Sequence, residues 1–315
     1  MKRFACLLLA CLLLLALPCA RAETAGPRYG QVFDVSGDAG LLTVRFLWLG
    51  PQIADDKPGD CMILPSPDGQ VMVLDAGHPL ATAYVTAALD AMGITRIDYL
   101  VASHPHIDHI GGFPTLMERY DIGAVYTSAL TYDASSYYQA YMACMQEKGL
   151  KHIILAEGDS FSFGGQVRVD VYNPAREIDY YEGYPKSGTR FINNHSLALK
   201  FTYGESTLLL CGDLYSAGER ELVDKWGAAL DCDVLKANHH GASTSSCPAW
   251  RKAVTPKITI VTSDVIEDTD VLNKAIRDGQ KVYHTLLDGC IRLSTPGDAT
   301  YAILTEKDRT TSLYD

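Results

Sequence analysis

The sequence predicts an α/β protein in which two β-sheets pack face to face and helices cover the outside. Three observations predict it. Short apolar or alternating segments recur with strand spacing, at residues 42–48, 61–64, 71–74 and 99–102 among others. Helical segments join them from residue 79 onward, on both sides in chain order. Beyond an N-terminal leader, 293 residues remain (315 − 22), enough for one substantial core without a recognisable linker.

The elements follow in order. Leu42-Thr43-Val44-Arg45-Phe46-Leu47-Trp48 alternates as a strand does. Residues 53–59 read as a polar, turn-rich insertion. Residues 61–64 and 71–74 form two strands joined by the turn Ser66-Pro67-Asp68-Gly69. Residues 79–92 read as a helix stopped by Gly93, and Tyr99-Leu100-Val101-Ala102 as a short strand. Gly111-Gly112 then precedes a helix to Tyr120, and a further helix spans 135–148, ending at Gly149. A strand is expected at 167–172, and a hairpin about Gly204 from 196–203 and 207–210. Ser216 with Glu219 three residues on has the form of a capping box opening a helix, which Gly227 ends. Residues 234–237 form a strand leading into a histidine pair. The tail continues as strand 257–261, helix 271–277 and strands 281–284 and 290–294.

Met1-Lys2-Arg3, an apolar run over residues 4–17, and Ala20-Arg21-Ala22 together read as a secretory signal, residues 1–22. The run is too short for a transmembrane anchor, which needs about 20 residues. A secreted or extracytoplasmic protein is therefore expected. Residues 23–40 read as a flexible leader, 41–306 as one domain and 307–315 as a tail. Removing Lys2, Arg3 and Arg21 leaves 24 basic against 38 acidic residues, a net charge of −14. Such a chain repels polyanions at long range, and no dense Lys/Arg cluster offsets this. Six cysteines remain beyond the signal: Cys61, Cys144, Cys211, Cys232, Cys247 and Cys290. Their spacing predicts no disulfide framework, and Cys211 lies in an apolar run that suits a buried thiol.

The chemistry concentrates at His104-Pro105-His106-Ile107-Asp108-His109. Four ligand-type side chains fall within six residues, in a chain with nine histidines. Imidazole and carboxylate are ligands of zinc and similar divalent ions. Histidines at i and i+2 of an extended segment point the same way, so His104 and His106 can share one ion. The turn at Asp108-His109 can hold a second.

His-x-His-x-Asp-His-x-Gly-Gly, here residues 104–112, resembles the signature of the metallo-β-lactamase superfamily. Leu74-Asp75-Ala76-Gly77, Cys211-Gly212-Asp213 and Leu235-Lys236-Ala237-Asn238-His239-His240-Gly241 are similar to its other motifs, in order. The likeness is greatest to the ComEC-type domain of DNA-uptake proteins and to phosphorylcholine esterases. Asn193-Asn194-His195-Ser196-Leu197 and the tail Val282-Tyr283-His284-Thr285 and Asp288-Gly289-Cys290-Ile291 fit that branch. The resemblance covers about residues 42–304 and implies a four-layer αββα sandwich.

The resemblance also implies roles. His104, His106 and His195 would hold one ion, Asp108 and His109 the second, and Asp213 would bridge them. One of His239 and His240 completes the second site, with His240 favoured as the residue before Gly241. Asp75 would orient the metal loop from behind. Ser103 and Lys236 are site-lining candidates, each equally readable as an ordinary strand-end residue. The implied cofactor is a pair of divalent ions, zinc first and manganese as the alternative, activating a water for hydrolysis. Asp108 would orient that water or take its proton, and a protonated His239 would assist the leaving group.

True metallo-β-lactamases lack an aspartate at the Asp213 position. The resemblance therefore points to phosphodiester or phosphoester hydrolysis, on a small-molecule or cell-envelope substrate. Nucleic acid is disfavoured by the acidic charge. A lactonase or thioesterase is the first alternative, and a metal-stabilised binding module without catalysis the second. Tyrosine clusters at Tyr137-Tyr138-Tyr141 and Tyr180-Tyr181-Tyr184 could cradle a quaternary ammonium, although core or loop packing is the readier expectation.

Overall fold

The computed structural model describes residues 26–51, 57–184 and 188–309. The signal expected at 1–22, part of the insertion at 53–59 and the end of the tail lie outside the described residues. Among those described, the chain forms two sheets. The first contains β1 (Leu42–Phe46), β2 (Met62–Pro65), β3 (Val71–Leu74), β4 (Arg96–Val101), β5 (Asp121–Thr127) and β6 (His152–Ile154), and receives β14 (Ile291–Thr295) and β15 (Ala302–Thr305) from the C-terminal end. Its order is β15-β14-β1-β2-β3-β4-β5-β6. The second contains β7 (Ser160–Phe163), β8 (Val167–Asn173), β9 (Ala198–Tyr203), β10 (Ser206–Leu210), β11 (Val234–Lys236), β12 (Ile258–Val261) and β13 (Lys281–His284), in the order β13-β12-β11-β10-β9-β8-β7.

Alternation along the strands builds the layers. Leu42, Val44 and Phe46 of β1 and Met72 and Leu74 of β3 meet Leu199 and Phe201 of β9 and Leu208 and Leu210 of β10 between the sheets. The intervening Ile63 and Val73 face outward, onto a core that includes Val85, Leu89, Leu116 and Tyr141 of the helices Thr82–Ala91, Phe113–Arg119 and Ser136–Glu147. Leu209 of β10 points to the opposite outer layer, where it joins Leu222 and Trp250 of the helices Ser216–Trp226 and Pro248–Val254. Helix, sheet, sheet and helix follow in turn, the four-layer αββα sandwich of the metallo-β-lactamase fold.

The topology positions the chemistry. β3, β4 and β5 run parallel, as do β10, β11 and β12. Asp75 follows β3, the 104–109 turn follows β4, Asp213 follows β10 and the 239–240 pair follows β11, so these loops leave the C-terminal ends of parallel neighbours.

Two expectations are corrected. Residues 26–40 are not a loose leader: Tyr29–Val32 is a short helix, and Val32 and Phe33 are buried in the first helix-side core. Arg45 Nε donates to the Val32 carbonyl at 2.7 Å, fastening the segment to β1. Nor does Glu219 close a capping box. Tyr215 occupies the N-cap with no side-chain cap bond, and Glu219 is buried and spent elsewhere. Its carboxylate accepts from Asn238 Nδ2 at 2.9 Å, Ser246 N at 2.6 Å and Cys247 N at 2.7 Å. Three donors from one distant loop satisfy a buried carboxylate better than a single local amide can.

Cys61, Cys144, Cys211, Cys232 and Cys247 are free thiols. Among the described residues no helix is long and apolar enough to cross a membrane.

Candidate metal centre

Asp75 follows β3 with φ near 60°, a left-handed conformation that turns its carboxylate back under the next loop. Asp75 Oδ1 accepts from Ser103 N at 2.7 Å, and Oδ2 accepts from Ser103 Oγ at 2.7 Å and His109 Nδ1 at 2.8 Å. With Nδ1 donating to Asp75, His109 Nε2 is the atom left for a ligand. Ser103 Oγ also lies 3.0 Å from His104 Nδ1, so the loop's first histidine is braced the same way. His104 Nε2 and His106 Nδ1 converge to 2.9 Å.

The second sheet supplies the facing half. Gly212, with φ near 52°, lies so close to Ser103 that an added Cβ would sit 2.9 Å from Ser103 Oγ, which lets the Asp213 loop close over the first sheet. Asp213 Oδ2 lies 3.3 Å from both His109 Nε2 and His240 Nε2, and 4.0 Å from His104 Nε2. Asp108 Oδ2 lies 3.7 Å from His109 Nε2 and 3.6 Å from His240 Nε2.

His239 and His240 both take positive φ, 47° and 54°, so the chain folds back and sends the two rings different ways. His240 is buried, and its Nδ1 donates to the Thr262 carbonyl at 3.0 Å. The His239 side chain is 15% exposed, with Nε2 3.9 Å from Asp213 Oδ2 and Nδ1 2.5 Å from Thr244 Oγ1. His240 thus turns Nε2 inward toward Asp213 and Asp108, and His239 lies at the partly exposed edge.

His195 caps the end of the helix Thr189–Asn194, with Nδ1 donating to the Phe191 carbonyl at 2.7 Å. Leu197 N donates to the Ser103 carbonyl at 2.8 Å, which lays this segment beside His104. Of the two tyrosine clusters, Tyr138 and Tyr141 belong to the core. Tyr181 and Tyr184 instead pack on Phe191 at 5.3 and 5.2 Å, and Phe191 stacks on His195 at 4.1 Å.

Burial would depress the His109 ring, yet Asp213, Asp108 and Asp75 raise it well above its ordinary value. Burial likewise opposes protonation of His240, and Asp213 and Asp60 override it. The pocket therefore demands positive charge. His104, by contrast, is pushed well down by burial and by the neighbouring His109 and His106. Burial takes His239 down to about 4. That ring is neutral at pH 7, so the proton expected for the leaving group is not resident on it.

The donor set fits divalent ions. His109 Nε2, His240 Nε2 and Asp213 Oδ1 are buried without a hydrogen-bond partner. Each such atom costs about 1–3 kcal/mol if nothing binds it. Imidazole nitrogens and carboxylate oxygens gathered in this way suit zinc or manganese.

Sequence reasoning passed over one member. Asp60, His109, Asp213 and His240 each offer an atom within 4.8 Å of the others. Asp60 Oδ1 faces His240 Nδ1 at 3.2 Å, on the side of the ring away from Asp213. Its Oδ2 pairs with Lys236 Nζ at 2.5 Å. Asp60 sits alone after Gly59 in a turn-rich stretch, and no local pattern marks it.

The family model described as the metallo-beta-lactamase superfamily matches residues 54–141, which hold Asp60, Asp75 and the 104–109 turn. Fold and match agree: residues 54–141 match the superfamily's model, within a chain that has the metallo-β-lactamase fold. It is similar to competence protein ComA of Neisseria gonorrhoeae, 26% identical over 254 residues, covering 73% of this chain and 33% of that protein. It is also similar to ComE operon protein 3 of Bacillus subtilis (strain 168), 24% identical over 227 residues, covering 66% of this chain and 27% of that one. The chain thus spans about a third or less of the length of these curated relatives. The solved structure of Tm1679, titled a metal-dependent hydrolase of the beta-lactamase superfamily, shares the fold with a TM-score of 0.50 at 11% identity, over 77% of this chain and 95% of that one.

Proposed function

We propose that this site hydrolyses phosphodiester or phosphoester bonds with two divalent ions, in an extracytoplasmic setting. The observation that carries the reading is the single oxygen Asp213 Oδ2, 3.3 Å from the ligand nitrogens of both His109 and His240 and 4.0 Å from His104. A carboxylate reached from both halves of the fold is the bridge a dinuclear centre needs. His104, His106 and His195 would hold one ion, Asp108, His109 and His240 the other.

Two such ions supply Lewis acidity toward the substrate's oxygens and an activated water at neutral pH. The chain's own groups do the rest. Asp75 fixes the His109 ring so that Nε2 faces inward. Burial acts against ionisation of Asp108, but the neighbouring His109 and His240 hold its carboxylate below the usual range. An ionised Asp108 orients the attacking water and accepts its proton. His239, neutral and pinned by Thr244, presents Nε2 to a substrate oxygen at the mouth.

The chain's acidity favours a small or cell-envelope phosphoester over a polyanion. The rings of Tyr181, Tyr184 and Phe191 beside His195 support a substrate carrying a flat or cationic group. A panel of bis-p-nitrophenyl phosphate, p-nitrophenyl phosphorylcholine, single-stranded DNA, a lactone and a thioester tests the reading. The expected order places the two nitrophenyl phosphoesters first. Turnover confined to the lactone or thioester would replace it with the carboxyl-ester alternative, and metal binding without turnover of any of these would favour a binding module.

A further inference from the structure

The pair Asp60–Lys236 is fully buried, 0% exposed on both sides, and no step above uses it. A buried ion pair is not in itself stabilising: its desolvation offsets its attraction. Its placement here is specific. Asp60 Oδ1 lies 3.2 Å from His240 Nδ1, as Asp75 Oδ2 lies 2.8 Å from His109 Nδ1. Each of the two histidines with Nε2 3.3 Å from Asp213 thus has a carboxylate behind it, hydrogen-bonded to Nδ1 at His109 and in charge contact at His240, whose Nδ1 donates to the Thr262 carbonyl at 3.0 Å. The two carboxylates differ in how their charge is met. Asp75 is held by Ser103 N and Oγ, neutral donors. Asp60 has an ammonium at 2.5 Å.

Lys236 Nζ has further neighbours: the Gly212 carbonyl at 3.2 Å, the Ala237 carbonyl at 3.3 Å and Asp213 Oδ1 at 4.0 Å. One ammonium therefore touches the loop before Asp213, the loop before His239-His240 and the carboxylate behind His240. The backbone of Asp60 ties in the first sheet. Its N–H donates to the Asp108 carbonyl at 3.1 Å, and its carbonyl accepts from Gly77 N at 2.9 Å. Gly59 permits this approach, because an added Cβ would sit 1.6 Å from the Asp108 carbonyl oxygen, and its φ is near 84°.

We propose that Asp60 and Lys236 are a positioning pair for the second metal site: Asp60, beside the Thr262 carbonyl that takes the Nδ1 hydrogen bond, braces the ring of His240, and Lys236 holds Asp60 and the Asp213 loop in register across the two sheets. Neither touches substrate. The inference rests on the dinuclear reading above, and metal titration separates the two because it involves no substrate.

The experiment compares wild-type protein with Lys236→Met, Asp60→Asn and the double variant Lys236→Met/Asp60→Asn. Apo-protein is titrated with Zn²⁺, and separately with Mn²⁺, against a chromophoric chelator, and apo thermal unfolding is followed in parallel. Each single variant should unfold at lower temperature, since a buried charge loses its partner. The second equivalent of metal should bind about 10–100-fold more weakly, with the first equivalent unchanged. The double variant carries neither charge and should regain most of the thermal stability. It should keep the weakened second site, which a purely structural pair would not produce. A folded double variant that binds both equivalents as the wild type does would overturn the proposal. Wild-type protein that binds no second equivalent would overturn the dinuclear reading and this proposal together. Two tight equivalents in the wild type without phosphoester turnover would remove the substrate assignment and leave the pair standing.

Discussion

Asp75 stands directly behind His109, with Oδ2 2.8 Å from the ring's Nδ1 and both side chains fully buried. The contact fixes which nitrogen of His109 faces inward, and the proposed metal centre depends on that choice. Asp75→Asn keeps the shape and can leave an amide facing Nδ1. Metal affinity or activity should drop about 10–100-fold. Chelator competition and nitrophenyl phosphoester turnover measure it, and an unchanged variant would show that the ring is held by packing alone.

Asp213→Ala removes the oxygen shared by both halves of the site. Turnover should fall on the order of 100-fold or more, because on the proposed dinuclear reading Asp213 would be the ligand common to both ions. Elemental analysis after desalting should find less than the wild-type metal content. Full metal content would move the bridging role to another group.

His239→Ala should retain both ions, since Nδ1 of His239 is committed to Thr244 and His240 Nε2 lies nearer Asp213, at 3.3 Å against 3.9 Å. The loss should appear in kcat, on the order of 100-fold if the ring contacts the transition state. Full activity with full metal content would remove His239 from the mechanism.

Little of the metal centre's support was legible in the sequence, while its front was. His104, His106, Asp108 and His109 announce themselves because four donors crowd one strand end. Asp213 and His240 become legible only through likeness to motifs, since a lone Asp after Gly212 has no local mark. Asp60 could not be read, and Lys236 only as a site-lining candidate, because their pairing arises where the loop before β2 meets the end of β11, across two sheets. Glu219 misled for the same reason: a local cap spacing was present, but donors 19 to 28 residues away compete for its carboxylate. The sheets themselves were readable because alternation is a local property. Val32 and Phe33 show its limit, as two apolar residues within a Gly-rich stretch can still anchor it in the core.

Glu219→Ala leaves the amides of Ser246 and Cys247 and the Asn238 side chain unpaired in a buried setting. Stability should fall by about 2–4 kcal/mol, read from denaturant unfolding. The turn carrying His240 should loosen as well, so the second metal equivalent should weaken. Unchanged stability would mean that water enters and replaces the carboxylate.

His284 gives the pH prediction. It is buried, and burial takes its ring down to about 4 despite the nearby Asp288. In the unfolded chain a histidine takes its proton near pH 6.5. Between about 6.5 and 4 the unfolded state therefore binds a proton that the folded state refuses. Stability should fall as pH drops through that window and level off below it. His284→Asn keeps an acceptor for Leu286 N, which His284 Nδ1 now meets at 3.2 Å, and should flatten the slope in unfolding temperature against pH. An unchanged slope would assign the effect to other groups.

The most direct test of the central claim is the rate of bis-p-nitrophenyl phosphate hydrolysis by apo-protein as Zn²⁺ or Mn²⁺ is added in measured equivalents, beside an Asp108→Ala/His109→Ala control. Activity should rise until two ions are bound per chain and be lost in the control. Two bound ions with no hydrolysis, or activity that survives in the control, would contradict it.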